Sequence, residues 1–266
     1  MAAPAPAGVV LRLRAAGCVF AEDEARLLVA AAATPDGLEA MVSRRVAGEP
    51  LEYVIGWAEF CGLRISVDPG VFVPRHRTEF LVDEATAVLS PGGLAVDLCC
   101  GAGAVGAALA ARVRGLELHA ADIDPAAVAC ARRNLAAGGA RVYLGDLFAP
   151  LPRELRGRID VLVANVPYVP SAEVELLPRE ARLFEARGAL DGGADGLDVA
   201  RRLVAEAPLW LAPGGHLLIE TSDAQAPVAA ELFSRSGLAP RVARLADLEA
   251  TVVVGTAPEE GSGTGG

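Results

Sequence analysis

The chain has 266 residues, of which 34 are acidic and 24 basic, for a formal net charge of −10; every basic residue is Arg and there is no Lys. A hydrophobic content of 53% is enough for a real core and excludes wholesale disorder, while no apolar run reaches the roughly 18–20 residues that span a bilayer. Acids and arginines are spread along the chain without a basic module, which disfavours a general grip on nucleic acid.

Met1–Val10 lacks a charged n-region and an apolar h-region, so no secretory leader is expected. Glu22–Ala33 has a helical pattern stopped by Thr34-Pro35-Asp36-Gly37, and Leu38–Ala47 repeats it up to Gly48-Glu49-Pro50. Helices this short need tertiary support, so residues 1–52 read as a small helical domain. Phe60–Val67 reads as an extended or hairpin segment around Cys61-Gly62, closed by Pro69-Gly70, within a linker over 53–79. From residue 80 to 256 the pattern becomes strand, glycine turn and helix, repeated. Strands are expected at Leu94–Cys99, Leu116–Ala121, Arg141–Leu144, Ile159–Ala164 and His216–Glu220, then near 241–245 and 251–255. Helices are expected from the first glycine loop to Arg114, over Pro125–Ala137, and over 196–211 and 226–236. Such alternation predicts an α/β, Rossmann-like doubly wound sheet with helices on both faces. The Gly/Ser-rich tail over 257–266 is expected to be disordered.

The first strand runs through Asp97-Leu98-Cys99-Cys100 into Gly101-Ala102-Gly103 and a helix. Glycines let backbone approach a ligand closely, and the helix start offers free N–H groups. Asp122, followed by Ile123, stands at the end of the next strand, about 20 residues further on, where an acid can bond both hydroxyls of an adenosine ribose. The spacing describes an adenosine-containing cofactor. Gly101-x-Gly103-x-x-Gly106 also satisfies the dinucleotide pattern, so NAD competes with S-adenosylmethionine (SAM). Asp97, an acid just before the loop, suits the sulfonium and ammonium charges of SAM and favours it. Asp146, in Gly145-Asp146-Leu147, follows the third strand where an adenine edge would lie. Glycines that merely allow tight packing are the plainer alternative.

The fourth strand runs straight into Asn165-Val166-Pro167-Tyr168 at its carboxyl end, where doubly wound sheets place chemistry. A side-chain amide and the exposed carbonyls of a kinked turn can hold a planar NH2 group by accepting its protons. Tyr168 can wall the pocket against a flat group, although an ordinary strand-ending turn would read the same. Five cysteines, at 18, 61, 99, 100 and 130, form no CxxC pair and read as reduced thiols of a cytoplasmic protein. His76, His119 and His216 have no ligand spacing, so no metal is expected.

Taken together, the Asp97–Gly103 loop, Asp122, Asp146 and Asn165-Val-Pro-Tyr168 resemble class I SAM-dependent methyltransferases with an NPPY-type motif. Gly48-Glu-Pro-Leu-Glu-Tyr53, Phe60-Cys-Gly-Leu63, Val73-Pro-Arg-His-Arg-Thr-Glu79 and Ala189-Leu-Asp-Gly-Gly-Ala-Asp-Gly-Leu-Asp198 resemble the protein-glutamine N5-methyltransferase (HemK/PrmC) family. The resemblance covers residues 48–255 and implies methyl transfer from SAM to the side-chain amide of a protein glutamine, with S-adenosylhomocysteine as product. The family's best-known target is the Gly-Gly-Gln loop of peptide chain release factors. Carried over residue by residue, Cys99, Cys100, Gly101, Ala102, Gly103 and Asp122 would hold SAM, with Leu147 on the adenine side. Asn165 and the Val166 carbonyl would accept from the glutamine NH2, and Pro167 and Tyr168 would complete the pocket. Val166 departs from the family proline, Cys99 from a common glycine and His76 from a frequent proline; the helical domain of residues 1–52, to which the resemblance gives substrate recognition, is shorter than usual. Arg75 and Glu79 are read either as parts of a cofactor lid or as an ion pair at a helix start. The enzyme is expected to be a cytoplasmic monomer acting on protein, with no nucleic-acid or membrane partner. An adenine N6-type nucleic-acid methyltransferase and an inactive SAM-binding interaction protein are the alternatives.

Overall fold

Four short helices lead the chain in a computed structural model that describes residues 7–259: α1 (Ala7–Ala15), α2 (Ala21–Ala31), α3 (Pro35–Val46) and α4 (Leu51–Ile55). The start of α3 carries its own signal, with Pro35 in the first turn and the Thr34 hydroxyl accepting from Gly37 N at 3.1 Å. Nothing local announces α1, whose first turns hold a Gly and two Val; it is seated by Val9 and Leu13 on a small buried cluster with Leu28, Val42 and Val54. Helix α4 crosses residue 52, where the helical domain was expected to end.

The linker forms a tight hairpin, β1 (Trp57–Phe60) and β2 (Leu63–Ser66), with Phe60 opposite Leu63. Its two turn residues, Cys61 (φ 50) and Gly62 (φ 74), both take the positive φ that a two-residue hairpin needs. Residues after the hairpin lead to a single turn, His76–Thr78, and to α5 (Glu79–Val88), of which the sequence reading had only a start near Glu79.

The sheet follows: β3 (Leu94–Leu98), α6 (Ala104–Arg112), β4 (Glu117–Asp122), α7 (Pro125–Leu135), β5 (Arg141–Leu144), β6 (Ile159–Ala164), α8 (Arg179–Phe184), α9 (Asp198–Glu206), β7 (Leu211–Thr221), α10 (Ala226–Arg235), β8 (Ala239–Leu245) and β9 (Ala250–Thr256). Strand order is β5-β4-β3-β6-β7-β9-β8; β3 to β7 are parallel and β9 runs antiparallel to both its neighbours. The chain winds outward from β3 to β5, then returns to the other side of β3 with β6, so the winding reverses beside β3 and opens a crevice at the carboxyl ends. Both faces are covered, and every residue of β3 is buried: Ala95 joins the core under α5, α6 and α7, while Leu94, Val96 and Leu98 join the one under α9 and α10.

Two elements differ from expectation. Pro213-Gly214-Gly215 reads as a turn, yet β7 runs through it as a bulge between Ile159↔Leu211 and Val161↔His216. Gly215 is needed there, because a Cβ would lie 2.7 Å from the Ile159 carbonyl oxygen. The first tail residues are tied to this bulge, with Ala257 N donating to Gly215 O and Gly214 N to Pro258 O. The expected disorder from 260 onward lies outside the described residues. Among the described residues no helix is long and apolar enough to cross a membrane.

Candidate active site

The carboxyl end of β3 delivers Asp97 into the crevice. Its Oδ2 accepts from Gly106 N at 3.0 Å, and burial pushes its carboxyl up to about 7, with the Gly106 N–H opposing and the Asp122 charge adding to the rise. The loop that follows turns on three left-handed residues, Cys99 (φ 55), Gly101 (φ 53) and Gly103 (φ 78). At the tip of β4, Asp122 accepts from Gly101 N at 2.8 Å on one oxygen and from Asp124 N at 2.9 Å on the other. Each oxygen keeps a second lone pair for a ligand hydroxyl. Burial raises this carboxyl as well.

Apart from Gly103, Gly106 and Glu79, the site residues singled out from the sequence line one cavity of about 860 Å3. Gly103 serves packing: a Cβ there would stand 3.1 Å from the Ala131 Cβ, so the glycine lets α6 approach α7. Gly106 likewise faces inward as the donor to Asp97, not outward to a pyrophosphate. Burial raises the thiols of Cys99 and Cys100, which keeps both protonated, as small packing residues would be. Ile123 is exposed at the cavity rim. Leu147 is buried with φ 46, and Asp146 is ion-paired with Arg202 at 2.5 Å.

At the end of β6, the Asn165 Nδ2 donates to the Thr78 hydroxyl at 3.3 Å. Among the described residues no donor engages the Val166 carbonyl, while the Val166 side chain is buried in the core cluster with Leu98 and Leu147. The Tyr168 hydroxyl donates to Glu220 Oε1 at 3.1 Å; Arg77 Nε donates to the same oxygen at 3.2 Å and lies over the Tyr168 ring. Burial, with the Glu220 charge, pushes the phenol up, so it stays a neutral donor. The backbone after the motif is clamped from below. Gln225 Nε2 donates to Tyr168 O and to Asp195 O, both at 2.9 Å, and Val169 bonds to Leu190 and Gly192. A Cβ at Gly192 would lie 2.5 Å from Pro167 O, and one at Gly196 2.2 Å from Tyr168 O, which explains the glycines of the Ala189–Asp198 stretch.

Arg75 and Glu79 do not pair with each other. Arg75 reaches the buried Glu185 at 2.5 Å, and Glu79 accepts from Cys61 N at 3.2 Å and contacts His76 Nδ1 at 2.9 Å. Sequence reasoning missed Arg77, Thr78, Glu220 and Gln225. Glu220 had a signal, an acid at the carboxyl end of a buried strand; the other three had none beyond their place in a motif or at a helix start.

A parallel sheet with this winding, two carboxylates at its first two strand ends and an Asn-x-Pro-Tyr turn beside them define a class I methyltransferase with SAM as methyl donor. Residues 62–195 match the family model described as methyltransferase small domain. A methyltransferase from Pyrococcus furiosus shares the fold, with a TM-score of 0.57 at 18% identity over 74% of this chain and 90% of that one. The release factor glutamine methyltransferase of Geobacter sulfurreducens is 43% identical over 199 residues, 74% of this chain and 69% of the relative. That of Cereibacter sphaeroides is 36% identical over 270 residues, 93% and 95% of the two chains. The chain belongs to the release factor glutamine methyltransferase family.

Proposed function

We propose that this enzyme transfers the methyl group of SAM to the side-chain amide nitrogen of the Gly-Gly-Gln glutamine in a peptide chain release factor. The observation that carries the reading is a pair of acceptors at the end of β6: the Asn165 amide and the unengaged Val166 carbonyl, both on the cavity that Asp97 and Asp122 enter. The donor set fits SAM. Asp122 has lone pairs that would serve two ribose hydroxyls, Asp97 would suit a cationic centre, Ile123, Asp146 and Leu147 would hold the adenine, and the Cys99–Gly103 loop would hold the methionine end. SAM supplies an electrophilic methyl group on a sulfonium.

The acceptor is an amide nitrogen with a delocalised lone pair, a poor nucleophile. Asn165 Oδ1 and the Val166 carbonyl would take the two protons of the glutamine NH2, orient the nitrogen and favour the positive charge it gains on methylation. Pro167 and Tyr168 wall the amide plane, and the Glu220–Arg77 pair fixes the Tyr168 ring. The proton leaves to solvent after transfer. We read the enzyme as a cytoplasmic monomer whose helices α1–α4 grip the release factor. Buried Arg45 ties these helices to the cavity wall, joining Glu24 of α2 to Glu180 of α8 at 2.6 Å each.

Intact-mass and peptide-mapping spectrometry of the cognate release factor after incubation with enzyme and SAM should show a gain of one CH2, about 14 Da, on the Gly-Gly-Gln glutamine. SAM binding without that gain, or methyl groups found on nucleic acid instead, would defeat the assignment.

A pH dependence follows from Asp97. Its carboxyl titrates near 7 in the unliganded chain and must be ionised to attract the SAM cation. SAM affinity is therefore expected to rise with pH up to about 7 and level off above it, losing about tenfold per pH unit below. The unliganded chain has the opposite trend. A carboxyl raised from 3.8 to about 7 by folding contributes stability that is complete below 3.8 and lost as pH rises through 7. SAM titrations at pH 6, 7 and 8 check the first statement, and a flat Kd would show Asp97 to be ionised throughout or uninvolved.

A further inference from the structure

Thr78 is 3% exposed and sits where the His76–Thr78 turn enters α5, its N–H bonded to Arg75 O at 2.9 Å. Both neighbours are tied down, Arg77 to Glu220 and Glu79 to the Cys61 N–H, and the next three residues, Phe80, Leu81 and Val82, are buried. The backbone that carries the hydroxyl is thus held by contacts that do not involve Asn165. It meets the Asn165 Nδ2 at 3.3 Å, and among the described residues no other side chain bonds to Asn165.

A carboxamide is nearly symmetric in shape and opposite in polarity at its two ends. With its oxygen towards the acceptor, Asn165 can take a proton from a glutamine NH2; turned over, it would set NH2 against NH2. A hydroxyl can accept or donate, so it complements whichever end it meets. A glutamine NH2 in the pocket demands the oxygen, which leaves the Asn165 NH2 to the Thr78 side, where the hydroxyl oxygen accepts from it. A side chain without an acceptor there would leave a buried amide donor unpaired and remove the anchor on the amide plane.

We propose that Thr78 is the positioning residue that anchors the Asn165 amide, accepting from its NH2 while the amide oxygen serves the substrate glutamine. This rests on the glutamine reading given above. The side-chain bond of Thr78 is to the Asn165 amide, so its signature is a loss in kcat that depends on Asn165.

The test is a double-mutant cycle with Thr78→Val, which keeps the shape and removes the hydroxyl, and Thr78→Ser, which keeps the hydroxyl. With release factor and SAM saturating, Thr78→Val is expected to lower kcat about tenfold, the worth of one buried hydrogen bond, with the SAM Kd within about twofold of the parent. Thr78→Ser should recover most of the rate. In the Asn165→Ala background, Thr78→Val should cost less than about twofold more. The proposal is overturned by a Thr78→Val enzyme with parental kcat, by a loss that appears in SAM affinity, by a Ser variant as slow as the Val variant, or by the full tenfold persisting without Asn165. Should Thr78→Val melt below the assay temperature, Thr78→Ala carries the same four readings. A parent enzyme that binds SAM but leaves the release factor unmethylated overturns the glutamine reading, and this inference with it.

Discussion

Asn165→Ala is expected to lower kcat by about 10²–10³-fold while leaving the SAM Kd within a few-fold of the parent. The size follows from what the side chain does at the barrier. The substrate nitrogen is uncharged and delocalised before transfer and cationic after it, so an oxygen that accepts its proton binds the transition state more tightly than the ground state. The Val166 carbonyl remains in the variant and keeps part of that stabilisation, which is why the loss is bounded. Asn165 also lines the cavity beside the cofactor loop, so the split between kcat and Kd is the informative quantity. Single-turnover rates at saturating SAM, set beside calorimetric SAM affinities, give both numbers. A variant that loses SAM affinity in step with rate would move Asn165 from the acceptor to the cofactor.

Asp122→Ala should have the largest effect on the cofactor, weakening SAM about 100-fold or more. A carboxylate bonded to two ribose hydroxyls contributes about 1.5–3 kcal/mol per hydrogen bond. The same carboxylate also draws in the Gly101 and Asp124 N–H groups, so its loss frees the glycine loop. Asp122→Asn keeps one acceptor oxygen and should fall between, at about tenfold. The two effects, binding and folding, separate cleanly here. Burial raises the Asp122 carboxyl, so its charged form is a burden to the unliganded fold above neutral pH. At pH 8 the Asn variant should therefore melt within a few degrees of the parent in the absence of SAM, yet lose most of the SAM-induced rise in melting temperature. A large drop in the unliganded melting temperature would mean that Asp122 acts mainly by holding the loop.

Much of this site can be read along the chain because its determinants are local. The strand–glycine–helix run at 94–112 is written in a near-continuous apolar run and in positions that take positive φ, and the structure has β3, the turn and α6 there. The same holds for Pro125 at the start of α7 and for the apolar run that carries Asn165 to a strand end. Other readings failed where the local signal was ambiguous. Pro213-Gly214-Gly215 carries every mark of a turn, and only the register of Ile159 and Val161 against β7 makes it a bulge. Gly103 and Gly106 fit a phosphate-binding pattern, yet one is required by Ala131 across a helix pair and the other by the Asp97 carboxylate.

By itself, then, the sequence determined most of the strands and helices, where the glycine loop and the Asn-x-Pro-Tyr turn fall, and which family they resemble. These depend on backbone preference and side-chain periodicity over a few residues. Tertiary structure alone decided which side chains meet. Thr78 finds Asn165 across 87 residues, Tyr168 finds Glu220 across 52, and Arg45 finds Glu180 across 135. No local preference encodes such pairs, because a hydrogen bond acts over about 3 Å and only the packing of the sheet and its covering helices brings residues so far apart in sequence within that distance.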